Sequence, residues 1–256
     1  MKRLLLLMLG VAASLNAFAW GQKGHDVVAY IAECHLTPTA AEKVGAVLGG
    51  RSLVYYANWM DNASNTPAYA HTKTWHYMNI DEGETLETQP RHPKGDLLTA
   101  IESITKEIEK GKWSEQEHFD GLRMLIHLVG DLHCPMHAGR STDRGGNNVP
   151  VLFFKREANL HSIWDSSLVE SAHNWSYSEW QWNLDRVTEE FAAQVQAGTP
   201  EEWFEQTVAL AKRIYEVTPE GTTVSYDYVN AMTPVIEQQL LFGGLRLAAL
   251  LNALYQ

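Results

Sequence analysis

The stretch SEQEHFDGLRMLIHLVGDLH, residues 114–133, decides the fold. Ser114 and Glu117 have the spacing of a capping box, which marks the start of a helix. An apolar stripe at helical spacing follows, formed by Phe119, Leu122, Leu125, Ile126, Val129 and Leu132. His127 and Asp131 lie four residues apart within this stripe, so a helix places them on one face. The stretch therefore predicts a long buried helix that carries an imidazole beside a carboxylate.

Start and stop signals elsewhere predict further helices. Thr37 followed by Pro38 begins one that Gly49 and Gly50 close. Helical patterns also cover residues 96–110, 176–197, 200–216 and about 226–255, the last of which Pro234 breaks into one or two helices. Residues 149–154 favour a strand and follow a turn, so they form an extended loop or a small β-hairpin. The sequence therefore predicts a single all-α domain with at most one small hairpin.

The composition restricts what the protein can bind. The chain has 256 residues, of which 45% are hydrophobic and 20% charged, as in ordinary globular proteins. Its formal net charge of −11 argues against a broad basic surface for nucleic acid. An anionic substrate would need another source of attraction, which bound metal ions could supply. Cys34 and Cys134 could pair in an exported protein, but the sequence leaves their redox state open.

The first 19 residues have the layout of a secretory signal peptide. Lys and Arg at 2–3 precede an apolar run at 4–9, and residues 17–19 read Ala-Phe-Ala, a cleavage signal. The alternative, an uncleaved membrane anchor, is disfavoured because the run is much shorter than the roughly 20 residues of a membrane span. We therefore expect a signal peptide at 1–19 and a secreted or periplasmic domain at 20–256, with no membrane partner and no obligate protein partner.

A second His-x-x-x-Asp pair strengthens the metal hypothesis. His161 and Asp165 repeat the spacing of His127 and Asp131, and His137 follows the first pair closely. Imidazole and carboxylate are zinc ligands. A single pair would more often be two hydrogen-bonded groups, but two pairs and a nearby histidine favour metal ions.

Four further residues fit the same chemistry more weakly. Asp61 and His76 lie among aromatic residues. Cleavage after Ala19 would make Trp20 the N-terminus, whose α-amine can bind a metal when deprotonated. His25 follows five residues later. The alternative is that Trp20 is an ordinary buried aromatic and His25 a residue near a helix start.

These residues together resemble a known family. In the order and spacing of these residues, the sequence is similar to the single-strand-specific zinc nucleases of fungi, plants and bacteria. That family shares a three-zinc fold with bacterial zinc phospholipase C. The resemblance covers nearly all of residues 20–256. The nine positions that carry it are Trp20, His25, Asp61, His76, His127, Asp131, His137, His161 and Asp165.

The resemblance implies three Zn²⁺ ions in a helical fold. Asp61, His76, His127 and Asp131 would bind the first ion. The second would take Trp20, His25 and again Asp131, so that Asp131 bridges the two. His137, His161 and Asp165 would bind the third.

The implied function is hydrolysis of single-stranded DNA and RNA to 5′-phosphate products, with 3′-nucleotidase activity as an additional expectation. Asp61 and Asp131 would position the attacking hydroxide between two zincs. Tyr77 would stack on a base, and Asn79 would contact it. The partner is therefore single-stranded nucleic acid or a nucleotide.

Three positions depart from the family pattern. Ser64 stands where relatives carry an arginine that contacts the phosphate, and Lys73 or Arg140 are candidate replacements. Asn79 stands where relatives have an aspartate, and Cys134 where they have a glutamine in the loop before His137. Six other histidines match no ligand position and are expected at the surface or in local hydrogen bonds: His35, His71, His92, His118, His133 and His173.

Two other functions remain open from the sequence. A zinc phospholipase C shares the three-zinc logic, but its last ligand is a glutamate, whereas this chain has Asp165. A non-catalytic periplasmic zinc-binding protein would account for the missing arginine at Ser64, but the chain lacks the His-rich tract typical of such proteins.

Overall fold

The structure is a computed structural model that describes residues 20–256, so the predicted signal peptide at 1–19 lies outside it. Helices dominate, as the sequence predicts. They are α1 Gln22–Cys34, α2 Pro38–Val47, α3 Leu53–Tyr56, α4 Trp59–Ala63, α5 Leu97–Lys110, α6 Glu115–Leu132, α7 Leu160–Ser162, α8 Leu168–Ala172, α9 Tyr177–Leu184, α10 Glu189–Gln196, α11 Pro200–Val217 and α12 Tyr226–Leu254. Short 3₁₀ turns lie at Ala70–Thr74, Pro135–Ala138 and Ser141–Asp143, and a π-helical turn at Ile163–Ser167.

The predicted capping signals fix the starts of the helices. The Ser114 hydroxyl accepts from the Glu117 amide at 3.3 Å, while the Glu117 carboxylate accepts from the Ser114 amide at 2.8 Å, which completes the capping box of α6. Thr37 caps α2 through the Ala40 amide at 3.2 Å. The helix predicted from 96 begins one residue later because Asp96 is its cap.

Helix α6 lies in the core, with every residue from Gly121 to Leu132 buried. Helices α1 and α12 pack closely on each other, since a Cβ on Gly244 would lie 2.4 Å from the side chain of Ile31. This close packing holds α1, which carries His25, in a fixed position beside α6. In residues 20–256 none of the helices has both the length and the apolar character that a membrane crossing requires.

The helical pattern over 176–197 has a break that the sequence analysis does not predict, because the chain forms two helices there, α9 and α10. Asp185 ends α9 and accepts a hydrogen bond from the His35 ring at 2.8 Å. Thr188 then caps α10 by accepting from the Phe191 amide at 3.2 Å. A second cap inside a helical pattern therefore starts a second helix.

The predicted break at Pro234 is wrong, since α12 runs through it from Tyr226 to Leu254. Proline cannot supply the amide that would bond to the carbonyl of Asn230, four residues earlier. Both Pro234 and Asn230 are exposed, so water can serve that carbonyl and the helix continues.

The predicted hairpin is confirmed, and a third strand pairs with it. Strands β1 Pro150–Phe153 and β2 Arg156–Asn159 pair antiparallel, with Val151 opposite Ala158. Strand β3 Thr223–Val224 pairs parallel to β1, giving the order β2-β1-β3. The hairpin leads directly into α7 and so delivers His161 to the interior.

Candidate metal centre

Helix α6 presents His127 and Asp131 together at the centre of the molecule, and both are fully buried. Nδ1 of His127 donates to the carbonyl of Ala57 at 2.7 Å, which leaves Nε2 as the ring atom that can bind a metal. That nitrogen lies 3.3 Å from Oδ2 of Asp131 and 3.4 Å from Oδ1 of Asp61. Orientation of a metal-binding histidine by a backbone carbonyl is typical of protein metal sites.

His76 completes a first cluster of four donor atoms. Its Nδ1 lies 3.0 Å from Oδ2 of Asp131, 3.1 Å from Nε2 of His127 and 3.8 Å from Oδ1 of Asp61. Zinc bonds of about 2.0–2.1 Å in a tetrahedron place ligand atoms about 3.3 Å apart. The separations in the cluster fall around this value, so the four side chains fit one metal ion.

His25 forms a second cluster on the other side of Asp131. Its Nε2 lies 3.3 Å from Oδ1 of Asp131, the carboxylate oxygen opposite to the one in the first cluster. Its ring stacks on His127 with centroids 3.9 Å apart. Gly130 makes this possible, since a Cβ there would lie 2.6 Å from Nδ1 of His25. The two oxygens of Asp131 thus face two clusters, as a bridging carboxylate requires.

Trp20 lies beside these clusters and is fully buried. The amide of the next residue, Gly21, donates to the carbonyl of Asp165 at 2.6 Å, and the Trp20 side chain packs against Gly24. The start of the described chain is therefore held next to a predicted ligand. The role predicted for the Trp20 amine concerns the cleaved chain and stays a prediction.

A third cluster contains Cys134, His137 and Asp165, whose donor atoms lie within 4.8 Å of one another. Nδ1 of His137 donates to the carbonyl of His76 at 2.6 Å, and its Nε2 lies 3.9 Å from Oδ1 of Asp165. The His161 ring stacks on His137 with centroids 5.2 Å apart, and its Nδ1 donates to the Gly145 carbonyl at 2.8 Å. The sequence analysis identifies Cys134 only as a departure from the family pattern, because a lone cysteine gives no ligand pattern.

The second His-x-x-x-Asp pair does not lie on a regular α-helix. His161 belongs to the single turn α7, and Asp165 lies in the π-helical turn Ile163–Ser167. A π-turn widens the helix, so positions four apart no longer stack as they do in α6. The two pairs therefore differ in local geometry, although both deliver their side chains to the same buried region.

The carboxylates and histidines of the three clusters shift one another's pKa values. Burial alone would raise the pKa of Asp131, but His127 and His137 hold it well below its usual range. Burial would lower the pKa of His127, but Asp131 and Asp61 raise it well above its usual value. Burial raises the pKa of Asp165, and the charges of Asp131 and Asp61 add to this effect. Both shifts favour the protonated forms of His127 and Asp165, and a metal ion that binds these residues would displace the protons.

Burial also shifts the pKa values of His25 and Cys134. Burial, with the nearby His127, lowers the pKa of His25 to about 4, so its ring is neutral and able to bind a metal at neutral pH. Burial, with the charges of Asp165 and Asp131, raises the pKa of the Cys134 thiol well above its usual value. Two side-chain atoms of the third cluster, Nε2 of His137 and Oδ1 of Asp165, are buried without a hydrogen-bond partner within the described chain.

Comparison with known proteins places the chain in one family. The profile of the S1/P1 nuclease family matches residues 20–256. The chain belongs to the S1/P1 nuclease family. The match begins at Trp20, the residue that follows the predicted cleavage site. Family membership confirms the resemblance found in the sequence.

Named relatives of this family member match it over most of its length. Endonuclease 2 of Arabidopsis thaliana is 29% identical over 95% of this chain and 93% of its own. Nuclease P1 of Penicillium citrinum is 27% identical over 92% of this chain and 98% of its own. Nuclease S1 of Aspergillus oryzae is 25% identical, with 94% of both chains covered. These relatives favour a nuclease over the phospholipase and the non-catalytic zinc-binding protein.

Two cavities of this S1/P1 family member open near the clusters. One, of 250 Å³, is lined by Tyr77 and Asn79, together with Arg91 and His92. Oδ1 of Asn79 is buried and has no hydrogen-bond partner among residues 20–256. The other cavity, of 240 Å³, reaches Asp61. The predicted base contacts therefore line one recess, and a predicted metal ligand lines the other.

The position of the missing arginine is filled by the buried Ser64, whose hydroxyl donates to the carbonyl of Asp61 at 3.1 Å. Lys73 is exposed. Arg140 lies over the ring of Tyr215 and pairs with Glu82 at 3.5 Å. These contacts occupy Arg140, so the structure does not support it as a replacement at Asp61.

Of the six other histidines, His133 differs most from expectation. It is fully buried, and its Nε2 accepts from the Arg246 guanidinium of α12 at 3.1 Å. Such a contact between residues far apart in the chain leaves no sequence pattern. His35, His118 and His173 bond to Asp185, Tyr255 and Glu237 as ordinary polar partners.

Proposed function

We propose that this chain is a secreted zinc-dependent phosphodiesterase that cleaves single-stranded DNA and RNA to 5′-phosphate products, with 3′-nucleotidase activity as a second outcome. The observation that carries the proposal is the placement of Asp131. One of its oxygens lies in a four-donor cluster with Asp61, His76 and His127, and the other faces His25. A carboxylate so placed is suited to hold two metal ions side by side, as two-metal phosphodiesterases require.

The residues divide into three metal sets in the proposal. Asp61, His76, His127 and Asp131 bind the first ion, and His25, Asp131 and the Trp20 amine bind the second. His137, His161 and Asp165 supply the third. When bound, the zinc ions provide Lewis-acid chemistry and activate water for attack on the phosphodiester. They also attract phosphate to an acidic chain.

The chain's own residues orient these ligands. Backbone carbonyls of Ala57, His76 and Gly145 accept from the Nδ1 atoms of His127, His137 and His161, respectively, at 2.6–2.8 Å. Each bond fixes a ring and directs its Nε2 away from the backbone. Main-chain bonds from Met78 to His137 and from Ile80 to Gly139 hold the two ligand-bearing segments side by side. Burial of the clusters keeps bulk water from the ligands.

Preference for single strands follows from the recess at Tyr77. A base can enter this recess only if it leaves a duplex stack, and stacking on an aromatic ring is worth about 1–3 kcal/mol per base. Asn79 presents a buried carbonyl oxygen without a partner in the described structure, which can accept from a base amino group. An aspartate at this position would accept only, whereas asparagine can also donate, so base preference should differ from that of relatives.

The test is hydrolysis by protein that begins at Trp20. Single-stranded DNA, RNA, the matched duplex, a 3′-mononucleotide and phosphatidylcholine vesicles serve as parallel substrates, each with and without chelator. We expect chelator-sensitive cleavage of the single strands to 5′-phosphate ends and slow cleavage of the duplex. Hydrolysis of phosphatidylcholine alone would overturn the proposal in favour of a phospholipase, and metal-replete protein inactive on every substrate would favour a binding protein.

A further inference from the structure

Cys134 lies between two residues assigned to the metal centre. It follows the end of α6 and precedes the 3₁₀ turn that carries His137. Its amide donates to the carbonyl of Asp131 at 2.9 Å, and its carbonyl accepts from the amide of His137 at 3.0 Å. Its side chain is fully buried. The backbone therefore holds the thiol at a defined place beside the third cluster.

The donor atoms around this thiol are those of a metal site. The sulfur of Cys134, a ring nitrogen of His137 and a carboxylate oxygen of Asp165 lie within 4.8 Å of one another. His137 Nε2 and Asp165 Oδ1 are buried and have no hydrogen bond to any other residue from 20 to 256. Two unpartnered polar atoms in a buried place are costly unless a cation satisfies them.

We propose that Cys134 is a thiolate ligand of the third metal ion, together with His137 and Asp165. The inference rests on the proposed function, because it assumes that the third cluster binds metal. A sulfur–metal bond forms as the thiol proton passes to solvent, and no atom changes oxidation state. His161, whose ring stacks on His137 with centroids 5.2 Å apart, keeps the place among the ligands of the third ion that the proposed function gives it.

Two other roles for Cys134 account for less of the structure. A disulfide with Cys34 is not formed, since both cysteines are free and Cys34 is exposed on α1. A buried cysteine can also act as a small apolar side chain. That role does not account for the position of the sulfur, within 4.8 Å of the donor atoms of His137 and Asp165.

A thiolate ligand changes what the third site can do. Sulfur is a soft ligand that favours zinc or cobalt over magnesium or manganese. A fourth protein ligand also closes a site that would otherwise keep a position open. The third ion would therefore be held more firmly than an ion bound by His137, His161 and Asp165 alone, and it would have less room for a direct contact with substrate.

Cobalt substitution tests the proposal. Protein beginning at Trp20 is stripped of metal and reloaded with Co²⁺, the bound cobalt is counted by elemental analysis, and the near-ultraviolet absorption is recorded. We expect a sulfur-to-cobalt charge-transfer band. Cys34→Ser should retain the band, whereas Cys134→Ser should lose it and bind the third cobalt at least about tenfold more weakly.

The outcomes separate this inference from the proposed function. Cobalt-loaded wild-type protein without the band would overturn the thiolate ligand and leave the metal centre intact. Failure to bind cobalt at all would overturn both. The chain has two cysteines, so a band that survives in Cys34→Ser assigns the ligand to Cys134 even if Cys134→Ser does not fold. A band lost in Cys34→Ser would also overturn the proposal.

Discussion

Nε2 of His127 and Nδ1 of His76 lie 3.1 Å apart, and Oδ1 of Asp61 lies 3.4 Å from the same His127 nitrogen. Nδ1 of His127 donates to the Ala57 carbonyl, which directs Nε2 of the ring at these neighbours. Asp131 and Asp61 raise the pKa of His127 and so favour a proton on this ring, which a metal ion bound between these atoms would displace. This relationship between two rings supports a metal ion in the first cluster.

Replacing His127 by alanine should remove metal and activity together. His127 Nε2 contacts both carboxylates of the first cluster, so its loss removes a ligand directly. We expect at least one equivalent of metal to be lost and activity to fall by more than about 100-fold, since even residues that only support a ligand cost 10–100-fold. His118→Gln on the same helix, which loses a bond to Tyr255, is the control and should keep its metals. A fully active His127→Ala protein with its metals retained would contradict the assignment.

Gly130→Ala should damage the second cluster. The new Cβ would lie 2.6 Å from Nδ1 of His25, so the ring must move away from Asp131. We expect loss of one metal and a roughly 10–100-fold fall in activity. Gly45→Ala is the matched control, because a Cβ there meets nothing within 4 Å and should raise stability by about 0.5–1 kcal/mol. Elemental analysis and rate measurements on both variants test this prediction. Unchanged metal content in Gly130→Ala would contradict it.

An additional residue before Trp20 should impair the enzyme. A peptide bond at the Trp20 nitrogen converts the proposed amine ligand into an amide, which cannot bind the metal in the same way. We expect a roughly 10–100-fold loss of activity and loss of one metal in protein that begins at Ala19. A protein with one alanine added after Gln256 controls for the extra residue. Equal activity and metal content in all three proteins would argue against ligation by the N-terminus.

The metal-free protein should lose stability as pH rises. The folded-state pKa of His127 is raised above its ordinary 6.5, so its ion pair stabilises the fold fully below pH 6.5 and less as pH rises through the folded-state value. Asp165 contributes a loss of the same sign that begins above its ordinary 3.8 and continues through its raised folded-state pKa. Thermal unfolding with chelator should show Tm falling by several degrees between pH 6.5 and about 8.5, while metal-loaded protein keeps its Tm. A rising Tm in chelator would contradict these pKa directions.

Tyr77 should contribute to substrate binding by stacking. Loss of one base–aromatic stack of about 1–3 kcal/mol predicts a roughly 5- to 150-fold fall in kcat/KM for Tyr77→Ala on dinucleotides. Tyr77→Phe keeps the ring and should stay within about twofold of the wild-type value. If Tyr77→Ala cleaves dinucleotides as well as the wild type, Tyr77 only packs beside the metal ligands.

Local signals in the sequence were sufficient for most of the fold. Ser114 and Thr37 marked helix starts because a capping side chain bonds to an amide three residues away, which is a short-range event. Thr188 is a cap of the same kind that lay unnoticed inside a helical pattern. The helix break predicted at Pro234 does not occur, because the consequence of a missing amide depends on solvent exposure, which is a property of the folded chain.

The candidate site likewise contains residues that the sequence predicts and residues that it does not. His127 and Asp131 could be paired from their spacing, since an α-helix fixes the geometry of positions four apart. Cys134 and Gly130 could not be assigned, because their significance depends on contact with Asp165 and His25, which lie far away in the chain. Long-range contacts of this kind follow from packing, and a single sequence holds no periodic signal for them.

The most direct test of the central claim is anomalous diffraction at the zinc edge from crystals of protein that begins at Trp20. The account predicts three peaks: two on opposite sides of the Asp131 carboxylate, contacting His127 and His25 respectively, and a third between His137 and Asp165. A single peak, or an Asp131 carboxylate without a metal on either oxygen, would contradict it.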